Sequence, residues 1–378
     1  MNKNVKILIF VSWLFGYASG AYEVLFPLYL DWVGISFRDM GILFSITAAT
    51  IAVLSVVIGS QSDLRGRKIF YSISLAITSV VNFFVPLFRK LWETLVLSIG
   101  QSASLSIRNS VHNVLLFELT RKKFLSAYSR VNGMEYFSQA IGLLGAGLIL
   151  AAASFSMAFW FSSLVVAVAF VIFAISFKEE RTEMKVEDTW PKDGVYLPRE
   201  LKIFALSGIV MAVGLGCSHG FITPIFFVNK FGASNTTVSI ILTIHRLCFG
   251  IPLMFADKVL ALLKRFSMKT LMVSFMIYQG VSVAISAIIP DLTLATIVFV
   301  THDLLAAAYW SPVQSALIQS YCRENSRGAD SNKVTSISSV GSIASPFLAG
   351  LLASINISYP FLASGFMTIL AALLLLLI

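Results

Sequence analysis

Apolar residues run along the chain in long blocks separated by short polar gaps. Twelve such blocks are present: 7–30, 39–58, 69–88, 92–117, 132–152, 157–177, 203–228, 235–255, 270–289, 293–320, 335–355 and 360–378. Each is long enough to cross a bilayer as a helix, which takes about 20 residues. Strands of a membrane barrel would alternate apolar and polar every second residue, and these blocks do not, so the pattern predicts helices. The longest polar stretch, "KEERTEMKVEDTWPKDGVYLPRELK" at 178–202, follows the sixth block. It divides the chain into a six-helix bundle over 1–177, a solvated linker with no chemistry of its own over 178–202, and a second six-helix bundle over 203–378.

Composition agrees with an all-α integral membrane protein. Of 378 residues 57% are hydrophobic and only 12% charged, against roughly 25% charged in a soluble globular protein. Glu23 and Pro27 interrupt the first block, which is too long for a signal-peptide core, and "ASGA" at 18–21 is a poor cleavage site, so the block reads as a mature span. Of the 28 Lys and Arg residues, 22 fall in segments on the side of the N-terminus, four on the opposite side, and Arg108 and Arg246 within blocks. That bias predicts both termini inside, and a multi-pass protein of the plasma (inner) membrane. The net charge of +9 is spread over short gaps with no basic domain, which argues against nucleic acid as a partner. Cys217, Cys248 and Cys322 lie far apart and give neither a disulfide frame nor a zinc spacing. No nucleophile–base motif, nucleotide loop or metal-ligand spacing occurs. The chain therefore reads as no enzyme, with no cofactor and no metal, and with no direct use of ATP.

The halves show a weak internal repeat: "SRVNGMEYFSQAIGLLGAGL" (129–148) lies over "NKVTSISSVGSIASPFLAGL" (332–351). Two six-span repeats holding substrate between them are a transporter architecture. In the gap between the second and third blocks, "GSQSDLRGRK" carries Gly59, Asp63, Gly66, Arg67 and Lys68 at the positions of the signature G-x-x-x-D-R-x-G-R-R/K. Here the chain resembles the major facilitator superfamily. Leu64 departs from the signature's first arginine, and Arg65 is its neighbouring substitute. The resemblance implies twelve transmembrane helices in two pseudo-symmetric bundles with N-in/C-in topology. It also implies alternating access, with Gly59, Asp63, Arg65, Gly66, Arg67 and Lys68 as a gate. The competing reading of the basic residues is topogenic alone. "GSIASPFLAG" (341–350) partly matches the family's antiporter pattern through Gly341, Pro346 and Gly350, although in the eleventh block and not the fifth; close helix packing explains it equally well.

Ionisable residues within a membrane are costly and mark polar paths or one another. Glu23, Arg108, His112, His219, His245, Arg246, His302 and Asp303 lie within blocks that the resemblance places around a central cavity, and Glu135 lies near one end of the fifth block. Arg108 and Arg246 are candidates for gripping an anion, one from each half, because arginine stays charged and binds oxyanions in a fork. Each could instead pair internally, Arg108 with Glu23 or Arg246 with Asp303. Glu23, Asp303, His112, His302, His219 and His245 are candidates for proton coupling. Tyr22, Asn109, Gln139 and Trp310 are candidates for substrate contacts, as are Gln101 and Asn113 for neutral hydrogen bonds.

The expected function is secondary-active transport of a small polar solute, such as an organic anion, by rocker-switch alternating access with protons as a coupling partner, by a monomer in a lipid bilayer. The alternatives are proton-coupled export of amphiphilic or cationic compounds, and a transporter-like sensor or assembly protein that moves no solute. The drug-exporter signature of the fourth span is absent: Ser98 precedes Gln101-Ser102, where the signature has an arginine before Gln-Gly.

Overall fold

A computed structural model describes residues 3–120, 124–179, 197–323 and 327–378, with the side chains of 55–65, 113–114, 117–118, 124–130, 257, 319, 327–329 and 332 outside the description. Every regular element among the described residues is helical. In chain order these are α1 (Lys3–Trp32), α2 (Phe37–Arg65), α3 (Arg67–Phe84), α4 (Leu91–Thr120), α5 (Phe124–Ala152) and α6 (Phe155–Ser176), then α7 (Arg199–Ser218), α8 (Ile222–Phe231), α9 (Asn235–Leu253), α10 (Ala256–Leu262), α11 (Met268–Ile288), α12 (Leu292–His302), α13 (Ala308–Tyr321), α14 (Arg327–Ile355) and α15 (Tyr359–Leu374). Among the described residues, 11 helical segments are long and apolar enough to cross a membrane. The remaining predicted span, α4, is long enough but carries Gln101, Arg108, Asn109 and His112.

Two predicted spans prove irregular. Block 203–228 is not one helix: α7 stops at Ser218, Gly220 turns the chain with φ of 70°, and α8 resumes at Ile222. Such a φ suits a residue without Cβ. Block 293–320 contains a π-helical turn, Asp303–Ala307, between α12 and α13.

The chain forms two compact units, Met1–Lys185 with Ser234–Arg246, and Val186–Ala233 with Leu247–Ile378. In the first, α1 packs on α5 and α6, and α3 packs on α4 and α6. In the second, α7 packs on α14 and α15, and α11 packs on α15 and α12. The same pairings recur at equivalent places, as the weak sequence repeat predicts. The core of the first unit gathers Leu8, Phe15, Tyr71, Leu75, Val111 and Phe173; that of the second gathers Phe204, Met211, Met272, Met276 and Trp310.

With lipid as solvent, the outer faces stay apolar. On α6 the exposed residues Met157, Trp160, Phe161, Leu164, Val168, Val171 and Ile175 recur every three or four positions, one stripe of a helix. The inward faces are sewn by small polar groups: Thr78 and Ser104 hydroxyls lie 2.6 Å apart, Ser163 donates to the Ser79 carbonyl at 2.7 Å, and Asn82 to Ser162 at 3.1 Å. Hydroxyls and amides of this kind hold helices together where lipid supplies no hydrophobic drive.

Glycines set the closest approach. A Cβ on Gly142 would lie 1.9 Å from the Tyr17 carbonyl oxygen, and one on Gly20 2.1 Å from that of Gln139, so α1 and α5 touch backbone to backbone. The second unit repeats the device between α7 and α14, where a Cβ on Gly341 would meet the Ile209 carbonyl at 2.3 Å and one on Gly216 the Ser345 hydroxyl at 1.8 Å. Gly341, one of the antiporter-pattern residues, is thus a packing residue.

Between α13 and α14, fully buried Asp330 takes two bonds from the Arg323 guanidinium, at 2.7 and 3.0 Å, and one from its backbone N–H at 3.2 Å. These bonds hold the Asp330 carboxyl below its ordinary value. A depressed carboxyl stabilises the fold above the unfolded value, near pH 4, and that contribution disappears as pH falls through the folded value. Asp330→Asn is therefore expected to lower thermal stability at pH 7, with the difference from wild type narrowing below about pH 4. Equal gaps at pH 7 and pH 3 would refute the ion-pair account.

Candidate functional site

A cavity of about 270 Å³ opens within the first unit, lined from α1, α4 and α5. Arg108 and Glu135 meet there in an ion pair whose side chains are only 5% and 12% exposed. The Arg108 guanidinium also lies over the Phe15 ring, 4.1 Å from its centroid, a cation–π arrangement that helps hold a charge away from water. One turn on, His112 brings Nδ1 within 3.3 Å of the Tyr71 hydroxyl, while its buried Nε2 has no hydrogen-bond partner among the described residues. Asn109, Asn132 and Gln139 complete a polar wall, and Ser19 and Tyr136 border it. The geometry follows from local packing. Ser138 donates to the Trp13 carbonyl, which together with Gly16 and Gly20 presses α1 onto α5 and sets the height of Glu135.

The structure thus brings Arg108, Asn109, His112 and Gln139 together, and adds Glu135 as the partner of Arg108. The sequence offered Glu23 for that role; Glu23 instead pairs with Arg246. Arg246 was read as belonging to the second half, but by packing it falls within the first unit. This second pair is looser, with side chains 21% and 35% exposed, and the Tyr136 ring lies 5.9 Å from the Arg246 guanidinium. His245 is half-buried beside Arg246 on α9.

Other candidates fall elsewhere. Tyr22 stacks on Phe26 at 4.8 Å and does not line the cavity. Trp310 is buried in the second unit's core, donating its indole N–H to Gln279. Gln101 is buried on α4, its Oε1 without a hydrogen-bond partner among the described residues, and the Asn113 side chain lies outside the described residues. His219, His302 and Asp303 meet in the second unit. His219 Nε2 is 3.2 Å from His302 Nε2, which is 3.3 Å from Asp303 Oδ1.

At the signature loop, Gly59 lies within α2, and the side chains of Asp63 and Arg65 lie outside the described residues. Gly66 adopts φ of 95° and opens α3. The N-terminus of α3 is closed by a residue the sequence reading passed over as linker: the Glu179 carboxylate accepts from the N–H groups of Arg67 at 2.6 Å and Lys68 at 3.3 Å. A carboxylate at this end satisfies orphan donors and meets the positive end of the helix dipole. Asn4 anchors the same segment, donating to the Lys178 carbonyl at 2.7 Å. Glu179→Ala is expected to cost about 1 kcal/mol and to loosen the start of α3. Faster hydrogen exchange at Arg67 and Lys68 in the variant would register the loosening; unchanged exchange there would refute the cap.

Two helical units with matching internal pairings, ionisable residues turned inward and apolar faces turned outward define a multi-pass membrane carrier. The profile of the Major Facilitator Superfamily matches residues 8–214, and the chain belongs to that family. It is an integral membrane transporter of small molecules and not an enzyme. Among curated relatives, Multidrug resistance protein 2 of Bacillus subtilis (strain 168) is 25% identical over 96% of this chain and 90% of its own. Quinolone resistance protein NorA of Staphylococcus aureus (strain MRSA252) is 23% identical over 95% and 92%. A crystal structure of the nucleoside transporter NupG superposes with a TM-score of 0.81 at 12% identity, covering 100% and 99% of the two chains, a likeness of the two-bundle fold.

Proposed function

We propose that the chain is a proton-coupled carrier of a small anionic solute, with the Arg108–Glu135 pair as its exchange site. The observation that carries this reading is that a nearly buried Arg–Glu pair lines a small polar cavity. Arginine keeps its proton under all working conditions, so a proton that joins the pair can rest only on the Glu135 carboxylate. When Glu135 takes a proton, a lone guanidinium remains in a water-poor site. Leaving it so is costly, and an oxyanion that replaces the carboxylate removes the cost. The His112 Nε2 and the amides of Asn109 and Gln139 supply further hydrogen bonds. Proton and solute therefore travel together, and the pair re-forms when both leave.

In this reading the protein works as a monomer in the plasma membrane, both termini inside, by rocker-switch alternating access. The signature loop and Glu179 latch one side, and nucleic acid has no role. A second reading, proton-coupled export of amphiphilic or cationic compounds, is favoured by the names of the relatives. In it, Glu23 and Glu135 would have to exchange a tethered guanidinium for a drug.

Proteoliposomes loaded with a pH-sensitive dye separate the readings. Small carboxylates and phosphate esters are expected to drive proton co-movement in wild type and none in Arg108→Ala. Glu135→Gln, a fixed mimic of the protonated acid, is expected to keep anion binding and lose its pH dependence. Proton flux evoked by amphiphilic cations alone, surviving in Arg108→Ala, would install the second reading. Silence to every solute would leave a sensor.

A further inference from the structure

Both irregular spans lie in the second unit, and their irregularities converge. Backbone that leaves regular helical pairing at membrane depth is tolerated only where protein or a lined cavity satisfies it, and π turns collect at functional sites. The break after α7 presents His219; the π turn after α12 begins at Asp303, next to His302. One ligand atom from each of these three residues lies within 4.8 Å of the others. His302 is fully buried and Asp303 nearly so.

The hydrogen bonds around the two rings orient them. His302 Nδ1 contacts the Phe299 carbonyl oxygen, which can only accept, so the ring proton sits on Nδ1. The neutral ring then aims the Nε2 lone pair at Asp303 Oδ1, 3.3 Å away. Two acceptors at that distance repel unless a proton or a metal ion lies between them. On the other ring, Ser218 Oγ is 2.8 Å from His219 Nδ1, and with the ring proton on Nδ1 the His219 Nε2 lone pair turns to the same point. Ser364 in turn donates to Ser218 at 2.7 Å, fixing the hydroxyl. Outer partners that set the tautomer and hold the ring are the usual companions of metal-ligating histidines.

The spacing suits a metal. With bonds of roughly 2.0–2.2 Å, ligand atoms on a tetrahedral ion stand about 3.3–3.6 Å apart, close to the 3.2 and 3.3 Å observed for two of the three pairs. Two imidazoles and one carboxylate favour a first-row transition ion over calcium or magnesium, which prefer all-oxygen shells. We propose that His219, His302 and Asp303 form a binding site for a divalent first-row transition-metal ion. The proposal does not depend on the anion-carrier reading, since none of the three residues belongs to the Arg108 cavity.

The test uses tag-free full-length protein in detergent, stripped with a chelator and titrated with Co²⁺, whose visible absorption reports low-coordinate nitrogen and oxygen ligation. One Co²⁺ per chain is expected, displaced by Zn²⁺. His302→Gln and Asp303→Asn are each expected to weaken binding by about tenfold or more, and Ser218→Ala by less. Asp303→Asn keeps the side chain's size and removes only its charge, and cooperative metal-free thermal unfolding of each variant shows that it is folded. Absence of a visible band in wild type would overturn the proposal, as would a band of undiminished affinity in both His302→Gln and Asp303→Asn.

Discussion

Arg108→Ala is expected to be among the most damaging single changes in the first unit, costing about 3–5 kcal/mol because it strands Glu135 as an uncompensated buried charge. Glu135→Ala should hurt comparably from the other side, stranding the guanidinium over Phe15. The double variant Arg108→Met/Glu135→Met should recover most of the stability, since a nearly buried pair exchanged for apolar side chains of similar bulk is often neutral or better. Transport would be lost in all three. Thermal unfolding of the purified variants checks this directly. If the double variant is as unstable as the sum of the singles, the two residues act independently and the exchange-site reading loses its basis. The looser Arg246–Glu23 pair sets the contrast. With 21% and 35% of its two side chains exposed, removing either partner should cost about 1 kcal/mol or less.

The second large effect concerns the seam of α1 and α5. Gly142→Ala places a methyl where the Tyr17 carbonyl oxygen now sits, 1.9 Å from the ideal Cβ position. Contacts of that kind need at least 3 Å, so the helices must part by about an ångström, at a cost of about 1–3 kcal/mol. Because the same seam carries Glu135, anion-driven proton flux should fall with stability. Gly133→Ala, on the same helix, meets nothing within 4 Å, and should be neutral or stabilising by up to about 1 kcal/mol through better helix propensity. If the two substitutions shift the unfolding temperature equally, close packing is not what Gly142 is for.

The helices were legible because lipid imposes length and hydropathy on each span separately, and neither depends on tertiary detail. Pairing was not. Arg108 had several acids within reach of any plausible bundle, and nothing in a linear pattern distinguishes Glu135 from Glu23. The choice follows from glycine seams that set helix height to within a fraction of a turn. Glu179 escaped for a different reason: a cap at a helix start can come from residues far along the chain, here 112 positions from Arg67. The breaks in the seventh and tenth spans did leave a trace. Blocks 203–228 and 293–320 run well beyond the roughly 20 residues a span needs, and each carries a histidine beside a glycine or an aspartate near its middle. Length and polarity do not suffice by themselves, since block 92–117 is as long as block 203–228, carries Arg108 and His112, and forms the unbroken α4.

The π turn at Asp303–Ala307 amounts to an α-helix with one surplus residue. Deleting a single position there, such as Leu304, would restore an unbroken helix and leave the residues beyond it in register, so that Trp310 keeps its bond to Gln279 and only the turn that aims Asp303 is lost. Insertion and deletion, more than substitution, are therefore the changes through which such a helix gains or loses the arrangement around Asp303. A related chain with a one-residue gap at this point would be expected to share the fold yet lack the aspartate turned toward His302.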